Sequence, residues 1–244
     1  MFNPRNNGPF GGSRNNTSAY QYQTLPYGAV GVQAGGLVSK VMALMACSFL
    51  VATVGAFIGV NLSLSMGGYL VVVIAGFVVL LLLRAMINTQ GLNLFLLFLF
   101  TFLEGLALAP LISYYLLAGA ANILGEAFLI TAGTSLGLAA YAWTTKRSFS
   151  RMGDYLFFGL ILLIVAGIVQ IFFHSTLFML IVAFFGVAIF CGYILYYVQR
   201  ARYMADTLPN AIGLTVSLFL AVMNLFIYIL EILTIVQGGG RGRR

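Results

Sequence analysis

Long hydrophobic stretches follow one another from Leu37 onward, with only short polar or glycine-bearing segments between them. Each is close to the ~20 residues that an α-helix needs to cross a hydrocarbon core about 30 Å thick. Polarity does not alternate along the stretches as it does in the strands of an outer-membrane barrel. The pattern predicts seven transmembrane helices, at residues 37–60, 67–86, 92–117, 123–145, 154–174, 177–199 and 212–236.

The composition supports the same interpretation. Of the 244 residues, 61% are hydrophobic and only 7% are charged, whereas soluble domains are about 45–50% apolar and about 25% charged. A soluble protein of this size could not cover its surface with so few charged side chains. A soluble enzyme and a nucleic-acid-binding domain are therefore excluded, and we predict an all-α polytopic membrane protein whose surroundings are the lipid bilayer.

The two ends of the chain differ from the membrane domain at 37–236. Residues 1–36 contain seven glycines, five asparagines and two arginines but no apolar segment typical of a signal peptide. We predict that they form a disordered polar tail. Residues 237–244 form a short basic tail with three arginines.

The distribution of lysine and arginine predicts the orientation in the membrane. The predicted loops at 61–66, 118–122 and 174–176 contain no Lys or Arg. Nine such residues lie on the other side: Arg5, Arg14, Lys40, Arg84, Lys146, Arg147, Arg151, Arg200 and Arg202. The positive-inside rule places the N-terminus in the cytosol of a cell with an inner (plasma) membrane. Seven full spans then place the C-terminal arginines outside, whereas a re-entrant seventh segment would place them inside. We favour seven full spans.

Three segments resemble the Bax-inhibitor family, also called the transmembrane Bax inhibitor motif family. The first reads EGLALAPLISYY at 104–115. The second combines EAF at 126–128 with TKR at 145–147. The third pairs GYILY at 192–196 with VSLFL and NLF at 216–226. The resemblance covers about residues 37–236 and implies a seven-helix bundle with the last helix at its centre.

The resemblance also implies two functions. Calcium-leak members of the family carry two aspartates, described as a proton-sensing pair that opens or closes the pore. The matching positions here are Tyr197 and Ala221, and neither residue type ionises near neutral pH. The chain is therefore more similar to the bacterial YccA-like branch, described as modulators of the membrane-anchored protease FtsH.

We predict no enzymatic activity, cofactor or metal site. The G-x-S-x-G pattern at 133–137 lies within a predicted span, whereas a nucleophile elbow needs a strand-to-helix turn. Its glycines, like Gly55 and Gly59, instead predict close helix packing. Two cysteines and one histidine cannot supply a Cys/His metal framework.

Glu104 is the most informative single residue, because it lies about 12 residues into its span and hence ~18 Å deep. A carboxylate near the bilayer midplane should face protein or water. Arg84, at the end of the preceding span, is the nearest candidate cation in sequence. A neutral structural role and an ion or proton role both remain open for Glu104.

The last predicted helix has a polar face. At about 100° per residue, five side chains fall within about 80° of one another. They are Ser217, Ala221, Asn224, Tyr228 and Glu231. This stripe should face the bundle interior, either to form interhelical hydrogen bonds or to line a conduction path.

These observations lead to a main hypothesis and an alternative. The main hypothesis is a non-enzymatic membrane protein that modulates an FtsH-like membrane protease. In this hypothesis, the protease engages the protein through its N-terminal tail. The alternative is a calcium leak channel or a proton-coupled transporter that uses Glu104 and Glu231 in place of the missing pair. A purely structural scaffold is a third class. Calcium or protons are the ligands of the alternative.

Overall fold

The computed structural model describes residues 34–62, 66–173 and 175–238, and these residues form seven α-helices. The predicted all-α fold class and the count of seven helices are confirmed. The last helix begins at Leu208, four residues earlier than predicted. The helices are α1 (Ala34–Leu62), α2 (Met66–Ala85), α3 (Leu92–Leu117), α4 (Ala121–Thr144), α5 (Met152–Phe172), α6 (Thr176–Ala201) and α7 (Leu208–Gly238).

All seven helices are long and apolar enough to cross a membrane. Many large apolar side chains point outward from the bundle, among them Leu117, Tyr155 and Phe172. Such a surface is stable in lipid and not in water. The chain is a multi-pass membrane protein. The tails predicted at 1–36 and 237–244 lie outside the described residues, apart from 34–36 in α1 and 237–238 in α7.

The last helix, α7, occupies the centre of the bundle. It packs against α1, α3, α4 and α6, and twelve of its residues are buried. By contrast, α2 packs mainly on α3, and α5 packs mainly on α6. The two peripheral helices therefore expose most of their surface to lipid, and α7 touches lipid least.

The bundle has two chemically different ends. In the described part of the chain, all lysines and arginines lie at the end where α1 begins, which we call the basic end: Lys40, Arg84, Lys146, Arg147, Arg151, Arg200 and Arg202. The opposite end, which we call the far end, contains the connection at 118–120, the end of α5 and the start of α6. Lysine and arginine are thus segregated along the axis in the way that the positive-inside rule describes.

Contacts at both ends show that α7 crosses the whole bundle. At the basic end, Lys40 Nζ of α1 lies 2.9 Å from Asp206 Oδ1, just before α7 begins. At the far end, the hydroxyls of Tyr115 in α3 and Thr234 in α7 are 2.5 Å apart. Because α7 is continuous between these contacts, it is a full span and not a re-entrant segment, and it ends at the opposite end from the start of α1.

At the basic end, Gln199 of α6 holds the connection between α4 and α5. Its side-chain nitrogen donates to the Arg147 carbonyl, and its side-chain oxygen accepts from the Phe149 N–H. The Gln199 side chain is buried, and buried polar groups are normally hydrogen-bonded. These two hydrogen bonds give its oxygen and its nitrogen a partner. The loop that carries three of the basic residues is therefore fixed against the bundle.

The helices α1 and α3 run parallel and are packed backbone to backbone. A Cβ atom built on Gly105 would collide with the Ala52 carbonyl, and one built on Gly55 would collide with the Phe102 carbonyl oxygen. Close packing through Gly55 and Gly59 is therefore confirmed. For Gly133 and Gly137 the prediction is wrong, because a Cβ on either meets nothing within 4 Å.

Replacement of Gly105 by alanine should destabilise the bundle. Because the new methyl group would press on the Ala52 backbone, α1 and α3 must separate, which we expect to cost about 1–3 kcal/mol. The thermal midpoint of the detergent-solubilised protein measures this loss. The matched control is Gly125→Ala in α4, where a Cβ meets nothing within 4 Å and the helix propensity improves. Equal midpoints for the two variants would contradict the proposed packing.

Candidate functional site

A cavity of about 430 Å³ lies between α5, α6 and α7. Four polar side chains line it: Gln170 from α5 and Asn224, Tyr228 and Glu231 from α7. The remaining lining residues are Gly167, Ile171, Met179, Val182 and Ile227. A largely apolar pocket with a few convergent polar groups is the typical form of a ligand site, and it is therefore the candidate functional site.

The polar face predicted on α7 is divided between this cavity and the core. Asn224, Tyr228 and Glu231 line the cavity. Ala221, one turn nearer the basic end, is buried in the apolar core. Ser217 is half-buried, and its hydroxyl donates to the Gly213 carbonyl 2.9 Å away, within the same helix. The structure thus brings three of the five residues together at one site.

Glu231 links α7 to the peripheral helix α5. Its Oε1 accepts a 3.1 Å hydrogen bond from the Gln170 side-chain nitrogen. Glu231 precedes the end of α7 by seven residues and Gln170 precedes the end of α5 by two, which places them about 10 Å and about 3 Å from those ends. The bridge therefore lies near the far end of the bundle.

The other two polar residues of the cavity are fixed by their neighbours. Asn224 donates through its side-chain nitrogen to the Leu220 carbonyl at 2.8 Å. The Tyr228 ring stacks on Phe190 of α6, with centroids 5.8 Å apart and an interplanar angle of 24°. A side chain at Gly186 would occupy the position of that ring. The glycine is therefore needed for the position of Tyr228.

Tyr197 and Ala221, the positions that the family resemblance matches to the two aspartates, lie in the apolar core, nearer the basic end than the cavity-lining residues of their helices. Ala221 is 2% exposed. The Tyr197 ring stacks on Tyr193, with centroids 5.5 Å apart, and also packs edge-on against Tyr196. Both positions pack in the same apolar core cluster. Neither residue is among those that line the cavity, whose lining on α7 starts at Asn224.

Glu104 lies away from this cavity. It is half-buried on α3 and faces α2, where its Oε1 lies 3.9 Å from the position of a Cβ on Gly76. Arg84 is eight residues beyond Gly76, in the last turn of α2, and hence about 12 Å further toward the basic end. Measured from the Tyr115–Thr234 contact, Glu104 is also about 12 Å nearer the basic end than Glu231. The two glutamates do not form one site.

Sequence reasoning missed Gln170, which is the partner of Glu231. A glutamine within an otherwise apolar span was the sequence signal for such a pair. Buried polar side chains in membranes need a partner. In the described part of the chain, no group of three or more His, Cys, Asp or Glu residues is placed to hold a metal ion.

Comparison with known proteins identifies relatives over most of the membrane domain. A family model described as "Inhibitor of apoptosis-promoting Bax1" matches residues 35–238. An uncharacterized protein of Campylobacter jejuni is 34% identical over 196 residues, which cover 78% of this chain and 84% of that protein. "Protein lifeguard 4" of Mus musculus is 35% identical over 150 residues, covering 62% and 61% of the two chains.

A eukaryotic relative of similar coverage is "Bax inhibitor 1" of Schizosaccharomyces pombe, 39% identical over 148 residues that cover 59% of this chain and 53% of the yeast protein. The chain therefore spans little more than half of the yeast relative and about three-fifths of the mouse relative. None of these three names describes an enzyme.

Single cysteines should locate the floor of the cavity. In a background with Cys47→Ala and Cys191→Ala, we expect Asn224→Cys to react with a small methanethiosulfonate reagent. Ala221→Cys, one turn deeper, should react at least roughly tenfold more slowly, because close packing excludes the reagent. The reaction rates of the two variants in detergent micelles test this. Equal rates would show that the cavity continues past Ala221.

Proposed function

The chain belongs to the Bax inhibitor family, and on that premise we propose that it is a non-enzymatic regulator that binds a membrane-anchored, FtsH-like protease. The observation that carries this proposal is that the cavity lining on α7 stops at Asn224, while Ala221, one turn away, is buried in the apolar core. At the positions that the family resemblance matches to the charged pair, Tyr197 and Ala221 pack in that core. Uncharged, packed side chains at the α6–α7 interface favour action through protein binding.

The packing of α1 supports resistance to extraction by such a protease. A protease that pulls from the N-terminus meets α1 first. This helix is joined to α3 through Gly55 and Gly105, and its start is paired with Asp206 through Lys40. Removing α1 from lipid also exposes its backbone and apolar side chains to water. A bound chain that resists unfolding would occupy the protease and slow its turnover of other clients.

We further propose that the basic end faces the cytosol of a cell with an inner membrane. The seven Lys and Arg residues of the described helices and loops lie at this end, as the positive-inside rule requires. In a background without Cys47 and Cys191, an impermeant thiol reagent added to intact cells should label Gly238→Cys at the far end. Ser148→Cys in the basic loop should be labelled only after permeabilisation. The reverse pattern would invert the proposed orientation.

The protease proposal predicts a longer half-life when the N-terminal tail is shortened. Residues 2–30 are polar in sequence and precede α1, so they offer a segment that a protease can engage without first extracting a helix. Their deletion should slow degradation in membranes that contain the protease. Pulse-chase measurements in protease-positive and protease-deficient cells provide the comparison. An unchanged half-life in both kinds of cell would contradict the proposal that the protease engages the protein through its N-terminal tail.

A second candidate function is a cation leak, which the polar cavity specifically favours. The cavity places a carboxylate, two amides and a tyrosine side chain in an otherwise apolar region, as a vestibule for cations would. Tyr197 and Ala221 would then have to move apart for ions to pass.

If the second candidate is correct, calcium flux from proteoliposomes should lack a steep change between pH 6 and 8. The reason is that tyrosine and alanine stand at positions 197 and 221, and neither residue type is an acid of that pH range. Glu231→Gln should reduce the flux, and Glu104→Gln, which alters a carboxylate outside the cavity, is the matched control. A steep pH switch that survives both substitutions would contradict this account of the missing pair.

A further inference from the structure

The cavity between α5, α6 and α7 presents three acceptor groups: the Glu231 carboxylate and the side-chain amide oxygens of Gln170 and Asn224. The side-chain nitrogens of Gln170 and Asn224 donate to the Glu231 carboxylate and the Leu220 carbonyl, respectively. Within the described residues, the structure gives no hydrogen bond to the amide oxygen of either residue. An ionised carboxylate is also an acceptor only. Each side-chain amide keeps one further N–H and Tyr228 has a hydroxyl, but the carboxylate can pair only with donors. A ligand that contacts Glu231 should therefore bring hydrogen-bond donors.

Within the described residues, Glu231 lies far from every lysine and arginine. Every lysine and arginine in the described helices and loops lies at the basic end. Glu231 is 21 residues beyond Asn210 along α7, or about 30 Å from that end. The described residues therefore supply the carboxylate with an amide donor but no positive charge. A carboxylate in apolar surroundings is stabilised by a paired cation.

The cavity opens sideways toward the lipid. Ile171 and Ile227 line it and are 69% and 36% exposed, respectively, so the opening lies on the surface of the bundle. Gln170 is two residues from the end of α5, which places the opening near the far-end boundary of the membrane. At this depth the polar head of an amphiphile can reach Glu231 while its apolar chain stays among lipid tails.

We propose that this cavity binds the primary ammonium group of an amphiphile, with Glu231 as its counter-ion. A primary ammonium has three N–H donors, which match the two oxygens of the Glu231 carboxylate and the amide oxygen of Gln170, the side chain hydrogen-bonded to it. The Tyr228 ring, held by Phe190, adds a surface for cation–π contact. A quaternary ammonium lacks these donors. The ligand is either the headgroup of an aminophospholipid or a free long-chain amine, and the proposal does not depend on protease binding.

Thermal shifts of the full-length protein in a non-ionic detergent test the proposal. Dodecylamine should raise the thermal midpoint, because a ligand that binds only the folded state stabilises it. Dodecanol, which lacks the charge, and dodecyltrimethylammonium, which lacks the N–H donors, should raise it much less. Glu231→Gln should weaken the apparent affinity for dodecylamine roughly tenfold, the usual effect of losing a charge-assisted hydrogen bond.

Two matched controls separate binding from folding. Glu126→Gln removes another far-end carboxylate that accepts from a glutamine, Gln237, at 2.6 Å outside the cavity, and it should keep the dodecylamine shift. Gly167→Leu should fill the cavity and abolish the shift while Glu231 is intact. Gly133→Leu should keep the shift. A Cβ at either glycine meets nothing within 4 Å, so both leucine variants should fold.

Nanodiscs distinguish the two sources of the ammonium group. If the ligand is a lipid, phosphatidylethanolamine should stabilise the wild-type protein relative to phosphatidylcholine, and Glu231→Gln should lose this difference. A response to dodecylamine without a response to phosphatidylethanolamine would identify a free amine as the ligand. Equal shifts with dodecylamine and dodecanol, or a full dodecylamine shift in both Glu231→Gln and Gly167→Leu, would overturn the proposal.

Discussion

The packing of α7 inside the other helices is the interaction on which the rest of the structure depends. The helix contacts α1, α3, α4 and α6 and buries twelve residues. Lipid tails are as apolar as leucine, so helix association in a membrane relies on close packing and interhelical hydrogen bonds. The central helix uses both, through its apolar core contacts and through Tyr115 and Gln170 at the far end.

The position of α7 also divides the interior into two chemically different halves. Toward the basic end, Ala221 and Tyr197 pack in an apolar cluster with the aromatic side chains of α6. Toward the far end, α5 meets α7 through the hydrogen bond between Gln170 and Glu231, and the space around that bond forms the cavity. The half nearer the basic end is thus apolar and packed, and the half nearer the far end contains a polar cavity.

Uncharged residues occupy the positions that the family resemblance matches to the two aspartates. A stacked tyrosine and a buried alanine stand there, at the α6–α7 interface. The carboxylates proposed as their substitutes lie apart, with Glu104 facing α2 and Glu231 facing α5. Because about 12 Å along the bundle axis separates them, they do not replace the pair as a coupled unit.

The sequence by itself determined the membrane class, the seven helices and the segregation of basic residues. These properties depend on helix length and on transfer free energies, which are local quantities summed along the chain. Only the tertiary structure decided which polar residues meet. Gln170 reaches Glu231 across 61 positions of sequence, and Gly133 faces open space where its spacing predicted close packing. Helical periodicity predicts the face of its own helix on which a residue lies, but not which helix packs against that face. The cavity and its hydrogen-bond acceptors could therefore be identified only from the packed bundle.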